Sequence, residues 1–368
     1  MSSLATNTIT DASGGNTTTI NGYTPTVSNM AGRNRIINGD MRIDQRNAGA
    51  SVTASTAFAN VYTLDRWHYS VTAASKFSVQ QNAGGVTPPA GFTNYLGVTS
   101  LSAYSVSSSD ATSIRQIIEG FNTADLAWGT ASASPVTLSF WVRSSLTGTF
   151  GGSVFNGSVN RCYPFSYTIS TANTWEQKTI TIAGDTSGTW ATNNTAGIYL
   201  NFSMGTGSTS SGTAGSWGST FYNSATGATS VVGTSGATFY ITGVQLEAGS
   251  VATPFEHRQY GQELALCQRY YEKSYNDGVA PATATAVGTA SGQTNVSNIS
   301  TISIRFKVDK RATPTVTIYG TDGTAGVVTD NVNRGGTPTN TGATGTSIYW
   351  GGNTGFIGYV HYTASSEL

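Results

Sequence analysis

Five aromatic side chains stand where they could bind the flat face of a sugar ring. Trp141 and Tyr199 occupy the polar positions of strand patterns in which apolar residues alternate with them. Sugar recognition commonly combines an aromatic face with amide and hydroxyl hydrogen bonds. The alternative is that these rings pack under loops or between subunits. The candidate glycan contacts are Trp141, Trp175, Trp190, Trp217 and Tyr199.

The sequence contains no recognisable group of catalytic residues. Carboxylates are thinly spread, and no local pair has the context of a glycosidase acid and nucleophile. The three histidines, His68, His257 and His361, have no triad or metal-ligand neighbours. We therefore predict no catalytic residues and no cofactor.

Many short strands must position the aromatic rings. Val136, Leu138, Phe140 and Val142 alternate with polar or large residues, and a second run over 198–204 repeats the pattern. The chain holds 44 Gly, with Ser, Thr and Asn between the apolar runs, which is typical of strands joined by many turns. Such a sequence predicts an all-β fold with a jelly-roll sandwich.

A change of pattern over 239–275 predicts a strand, a helix and a junction. Gly243 interrupts the strand alternation, which indicates a β-bulge. The run Thr253–Glu256 offers a capping hydroxyl, a proline and a carboxylate, which is a helix-start pattern. We expect the helix over 257–268, with Tyr271 and Lys273 also able to begin a strand.

The remainder of the chain predicts a small second β domain. Strand patterns cover Ile302–Val308, Pro314–Tyr319 and Phe356–Tyr362, while the Gly/Thr stretches 205–219 and 335–346 indicate loops. The predicted organisation is an extended N-terminal arm at 1–32, a jelly roll at 33–256, the helix at 257–268 and a C-terminal β domain at 269–368.

Asp185 and Glu247 lie where jelly rolls sometimes hold a structural Ca²⁺, and the sequence leaves a metal undecided.

Charge and apolar content exclude several classes of partner. Lys plus Arg number 18 and Asp plus Glu number 18, so no basic surface points to nucleic acid. No apolar run approaches the ~20 residues of a spanning helix, and we predict no membrane insertion. Cys162 and Cys267 have no zinc-site spacing, so we expect two free, buried thiols.

Several sequence blocks resemble tail-fibre and related virion-surface proteins of bacterial viruses. The longest is GVQLEAGSVATPFEHRQYGQELALCQRYYEKSY, at 243–275. The order of SFWVRSS, WEQKTITIAGDTSGTW and FYITGVQLEAG resembles carbohydrate-binding-module jelly rolls. The further virion-protein-like blocks are Asn34–Met41, Ile43–Asn47, Asp65–Trp67 and Ala364–Leu368.

This resemblance implies a structural component of the virion surface, made in the host cytoplasm. The expected role is a non-enzymatic tail fibre that meets a host surface glycan. Residues 1–32 cannot close a core of their own, so we expect them to attach the chain to other tail or capsid proteins. A capsid decoration protein and a polysaccharide-degrading tailspike are the alternatives.

The predicted helix carries apolar residues along one face, which we call the helix stripe. This stripe also predicts a homotrimer. A helix this short is marginal alone, so its apolar residues must be buried against something. Three copies around an axis would bury them, and so would packing within one subunit. The candidate interface residues are Tyr260, Leu264, Cys267 and Tyr271.

Overall fold

The computed structural model describes residues 32–57, 60–293, 300–351 and 355–368. The predicted arm at 1–32 lies outside the described residues except for Gly32. Within the described ranges, no helix is long and apolar enough to cross a membrane.

Most regular elements of the described chain are strands. The four 3₁₀ turns are Ala83–Gly85, Gly120–Asn122, Ala124–Leu126 and Ser208–Ser210. The other elements are β1 (Val52–Thr53), β2 (Val61–Leu64), β3 (Trp67–Ser70), β4 (Phe77–Gln81), β5 (Leu96–Ser100), β6 (Ala111–Glu119), β7 (Val136–Ser144), β8 (Gly148–Asn156), β9 (Cys162–Ile169), β10 (Glu176–Ile182), β11 (Ala196–Thr206), β12 (Ser211–Gly212), β13 (Ser224–Ala225), β14 (Thr238–Ala248), α1 (Tyr260–Gln268), β15 (Tyr271–Lys273), β16 (Ala290–Gln293), β17 (Ser300–Arg305), β18 (Thr315–Tyr319), β19 (Val327–Thr329), β20 (Asn333–Gly342), β21 (Gly345–Trp350) and β22 (Ile357–Ser365).

Two antiparallel six-stranded sheets form a β-sandwich. The first sheet has the order β1-β4-β5-β14-β7-β10, and the second has the order β2-β3-β6-β11-β8-β9. Alternate residues point inward, so Leu138 and Phe140 of β7 meet Leu200 and Phe202 of β11 in one fully buried core. The predicted all-β jelly-roll fold is confirmed.

A bulge in β14 docks the segment that precedes the sandwich. Gly243 has φ +61°, and the pairing of β14 with β7 shifts between Thr242 and Gln245. The bulge predicted at Gly243 is therefore confirmed. It frees the Val244 backbone, whose N–H donates to the Gly39 carbonyl at 2.9 Å. The Asn34 amide in turn donates to the Val244 carbonyl at 3.0 Å, so residues 34–39 lie along the bulge.

The helix begins later than its predicted start. Gln259, with extended backbone, precedes α1. The Thr253 hydroxyl donates to Glu247 instead of capping the helix, and the Glu256 carboxylate accepts the Gly32 and Asn34 backbone N–H groups. The predicted start was wrong because these capping residues have partners outside the helix.

Eight of the remaining described strands form a sheet around β22, while β12 and β13 pair with each other in a separate parallel two-stranded sheet. The path of the sheet around β22 is β15-β22-β19-β20-β21-β17, and β16 and β18 also pair with β22. The predicted strands near β15, β17, β18 and β22 are present. The loop predicted at 335–346 was wrong, because β20 and β21 pair there as a hairpin. β20, NRGGTPTNTG, lacks an apolar alternation, and its flanking strands supply the backbone partners that hold it extended.

Candidate functional site

The outer face of the second sheet carries an aromatic and polar surface. Tyr199 of β11 points away from the sandwich core, as the alternation predicted, and lies opposite Phe155 of β8. Their rings stack with centroids 4.5 Å apart at 13°. Phe221, from the loop before β13, meets Phe155 edge-on at 4.8 Å. These three rings form one side of a binding surface.

This surface opens into a cavity of about 320 Å³. That volume is at the lower end of the roughly 300–1,000 Å³ typical of small-molecule sites. Its polar groups are one amide, two hydroxyls, the Tyr199 phenol and a guanidinium. The cavity is lined by Asn60, Ser70, Val71, Thr72, Ala111, Arg115, Phe155, Val159, Tyr199 and Phe221.

Arg115 of β6 supplies the charge of the cavity. It is buried, and its Nε donates to the Asn201 side-chain oxygen at 3.2 Å, while Nη2 donates to the Ser113 hydroxyl at 3.1 Å. Burial lowers the pKa of the Arg115 guanidinium to about 10, so the group is charged at neutral pH. Burial also raises the pKa of the Tyr199 hydroxyl, which is therefore neutral.

The rim of the cavity contains a strained residue. Val159 has φ +57°, which is unfavourable for a β-branched side chain, and its side chain is exposed. Backbone strain of this kind costs of order 1–3 kcal/mol and is concentrated at functional sites. The turn therefore holds an apolar side chain at the mouth of the cavity.

Two other predicted contacts lie on the outer face of the first sheet. Trp141 of β7 is half-buried, opposite Gln177 and Thr242. Trp175 donates its indole N–H to the Thr87 carbonyl at 2.9 Å. The sandwich thus separates both tryptophans from Tyr199, and the five predicted residues do not form one site.

Trp190 and Trp217 belong to an aromatic cluster with Trp128. The ring centroids are 4.7 Å apart for Trp128–Trp190 and 5.3 Å apart for Trp128–Trp217. The Trp217 indole N–H donates to the Ala183 carbonyl at 2.7 Å, and that of Trp190 faces Asp185 at 3.3 Å. Both rings pack against the sandwich core, which is the packing alternative for these two residues.

The two carboxylates considered for Ca²⁺ have donors within the chain. Asp185 pairs with Arg161 through two hydrogen bonds of 2.7 Å, and Glu247 accepts the backbone N–H of Thr253 at 2.8 Å. Across the part of the chain that the structure describes, no three His, Cys, Asp or Glu side chains form a metal-binding group. No observation therefore directs a metal to these positions.

The four helix-stripe residues differ in exposure. Cys267 and Tyr271 are buried, Leu264 packs in a cluster with Cys267, and Tyr260 is 44% exposed. That cluster also contains Ile37, so part of the stripe is covered within the subunit. Both cysteines are free and buried, as predicted.

The virion-protein-like blocks, far apart in the sequence, meet in one place, which we call the junction (residues 34–47, 65–67, 257–275 and 364–368). The Asn38 amide donates to the carbonyls of Ile43 and Asp65 at 2.8 and 3.0 Å. The Gln45 amide bridges Asp65 and the Tyr271 carbonyl at 2.6 and 2.9 Å. The junction ties the sandwich to α1 and to the sheet around β22.

Glu367 closes the junction from the other end of the chain. It forms ion pairs with Arg66 and with Arg46, and all three side chains are largely buried. The Arg66 guanidinium also lies over the Tyr270 ring, 3.5 Å from its centroid. The Tyr62 hydroxyl donates to the Leu368 carbonyl at 3.0 Å. The blocks that carry the resemblance thus connect segments that are distant in the chain.

The sequence did not identify Arg115, Phe155 or Phe221 as site residues. Arg115 is the one charged residue in the run ATSIRQII of β6, which is the signal that could have marked it. Phe155 meets Tyr199 only because β8 and β11 are neighbours, and the sequence does not show this strand order. Phe221 belongs to a loop without a pattern.

No protein-family model matches the sequence, and no curated protein matches it. Among solved structures, the enzymatically active domain of bacteriophage CBA120 tailspike protein 4 is similar, at 14% identity and a TM-score of 0.33. The similarity covers 59% of this chain and spans only 21% of the tailspike chain.

Two carbohydrate-binding modules are also similar. The family 11 module from Clostridium thermocellum, in complex with a mixed-linked tetrasaccharide, has 12% identity and a TM-score of 0.28, covering 54% of this chain and 95% of the module. TmCBM61, in complex with β-1,4-galactotriose, has 13% identity and a TM-score of 0.30, covering 59% of this chain and 99% of the module. These identities and TM-scores are too low to support an argument about the fold. The sandwich is established by the strand order of its two sheets.

Proposed function

We propose that this chain is a non-enzymatic bacteriophage virion-surface protein, a tail fibre that contacts a host-cell glycan through the outer face of the second sheet. The cavity bounded by Tyr199, Phe155 and Arg115 carries the glycan part of the proposal. The sequence blocks at the junction support the virion part, since they resemble those of tail-fibre and related proteins.

The cavity suits a sugar ring for two physical reasons. The Tyr199 and Phe221 rings are half-buried, so apolar surface remains for the C–H face of a sugar. The amide of Asn60 and the hydroxyls of Ser70 and Thr72 line the same cavity. We expect weak binding per site, roughly millimolar or about 4 kcal/mol, which display of many copies on a particle strengthens.

Tyr199→Ala tests which face binds. We expect at least about a tenfold loss of binding to a glycan array and to host envelope fractions, because the variant removes the stacking surface. The matched control is Trp141→Ala, which removes a half-buried ring from the other sheet and should bind like the wild type. If Trp141→Ala loses binding while Tyr199→Ala keeps it, the glycan site lies on the outer face of the first sheet instead. Melting temperatures of both variants check that they are folded.

We also propose that the protein assembles as a homotrimer about the face of α1 that carries Tyr260 and Leu264. An exposed tyrosine beside a half-buried leucine suits the centre of an interface, where aromatic residues are enriched. Leu264→Asp would bring three carboxylates together, and we expect it to dissociate the trimer.

Mass measurement at low micromolar concentration, on wild type and Leu264→Asp, tests this arrangement. A monomeric wild type would end the trimer proposal. A trimeric, stable Leu264→Asp would move the axis elsewhere. The control is Gln262→Asp, which adds a carboxylate on the same helix but outside the stripe. This variant should have the mass of the wild-type trimer.

A further inference from the structure

Among the described residues, the buried cation Arg115 has no carboxylate partner. The described residues include two buried arginines, Arg66 and Arg115. Arg66 pairs with Glu367, whereas Arg115 donates, among the described residues, to the neutral side chains of Asn201 and Ser113. Burying a charge is costly unless it is paired. An uncompensated guanidinium at the wall of a cavity therefore suits a ligand that brings the missing negative charge.

The orientation of the Arg115 guanidinium is set by its neighbours. Asn201 accepts from Nε, and the Asn201 amide is itself held by Asn223 through bonds of 2.6 and 2.9 Å. Ser113 accepts from Nη2, and Nη1 donates to none of the described residues. One arm of the guanidinium is thus left to bind a ligand while the other two nitrogens are fixed.

No other charged group among the described residues competes for this position. His68 lies beside Arg115 across the β3–β6 pair, and burial together with Arg115 lowers its pKa well below 6.5, so it is neutral. The Asp110 carboxylate behind Thr72 already accepts the Thr72 and Tyr104 hydroxyls, each at 2.7 Å. Arg115 is the only cation among the residues that line the cavity.

We propose that the cavity binds an acidic saccharide, whose carboxylate pairs with Arg115 while its ring lies against Tyr199. This inference rests on the proposed glycan-binding function and names its substrate class. A carboxylate fits better than a phosphate group, because one guanidinium balances one negative charge. A phosphate group carries up to two charges and would lack a second cation.

The test compares sugar acids with their own methyl esters, which keep the ring and lose the charge. The probes are galacturonate, glucuronate and N-acetylneuraminate, each beside its ester, titrated at pH 7 into the full chain. Binding is followed by NMR of the arginine side-chain Nε–H signals. We expect at least one acid to bind about ten- to a hundredfold more tightly than its ester and to shift the Arg115 signal.

Two variants separate the roles of charge and ring. Arg115→Gln keeps an amide that can donate to Asn201, and it should abolish the preference for the acid while leaving weak binding of the ester. Tyr199→Ala should weaken the acid and the ester by the same factor. Arg115→Lys retains the charge without the planar guanidinium and should keep part of the preference.

The outcomes distinguish this inference from the function on which it rests. If acids and esters bind wild type equally, the glycan site stands and the acidic class is wrong. If inorganic phosphate displaces the acid at an equal concentration, the carboxylate assignment is wrong. If none of the probes binds and no glycan on the array binds either, the proposed function of this face fails, and the inference fails with it.

Discussion

Glu367→Gln is expected to lower the free energy of unfolding by about 3–5 kcal/mol, the usual cost of removing one partner of a buried ion pair. The Arg66 side chain is 1% exposed and that of Glu367 is 8% exposed, so water cannot replace the lost charge. Arg46 loses the same partner. Urea denaturation, with both midpoint and slope recorded, measures the change.

The matched control for Glu367→Gln is Asp125→Asn, which breaks the ion pair between Arg35 and Asp125. The Asp125 side chain is 55% exposed, so its loss should cost only about 0–1 kcal/mol. A second variant, Arg66→Met combined with Glu367→Leu, removes both charges and should recover part of the lost stability. Equal costs for Glu367→Gln and Asp125→Asn would show that the junction is not held by this pair.

The sequence predicted strands best where one face is buried. In β7 and β11, the alternation of apolar with other residues indicates that every second side chain points into the core. The same alternation places Tyr199 on the outer face. β20 could not be predicted in this way, because it holds its extended conformation through its partner strands rather than through its own apolar residues. The helix start failed for a related reason, since Thr253 bonds Glu247 rather than the helix backbone.

The candidate site was predictable only in part, because it is made by the order of the strands. Tyr199 was identified as an outward-facing aromatic residue, but its stacking with Phe155 depends on β8 lying beside β11. Arg115 comes from a third strand, β6, on the other side of β11. Alternation along one strand indicates which face a residue occupies, but not which strand is its neighbour.

The sequence resemblance and the candidate site lie in different parts of the molecule. The resembling blocks meet at the junction, where Asn38, Gln45 and Glu367 connect segments that are distant in the chain. The cavity is built from Tyr199, Phe155 and neighbouring residues outside those blocks. A substitution in the cavity can therefore change ligand binding without touching the hydrogen bonds of the junction.

Asn38→Ala is the second variant expected to have a large effect, lowering the free energy of unfolding by about 3–5 kcal/mol. The Asn38 side chain donates to the Ile43 and Asp65 carbonyls and accepts the Ile43 N–H at 2.9 Å. Alanine leaves these buried groups without partners, at a cost of about 1–3 kcal/mol for each unsatisfied group, partly relieved by relaxation. Asn38 also has φ +57°, a conformation that alanine adopts less readily than asparagine.

Asn173→Ala separates the backbone cost from the hydrogen-bond cost. Asn173 has the same φ of +57° but is exposed, and its side chain bonds to none of the described residues. This variant should therefore cost about 1 kcal/mol through backbone strain alone. Asn38→Gly removes the same side-chain hydrogen bonds as Asn38→Ala, but glycine adopts the positive φ without strain. It should therefore be about 1 kcal/mol less destabilising than Asn38→Ala. If Asn38→Ala and Asn173→Ala cost the same in urea denaturation, the Asn38 amide does not hold the junction together.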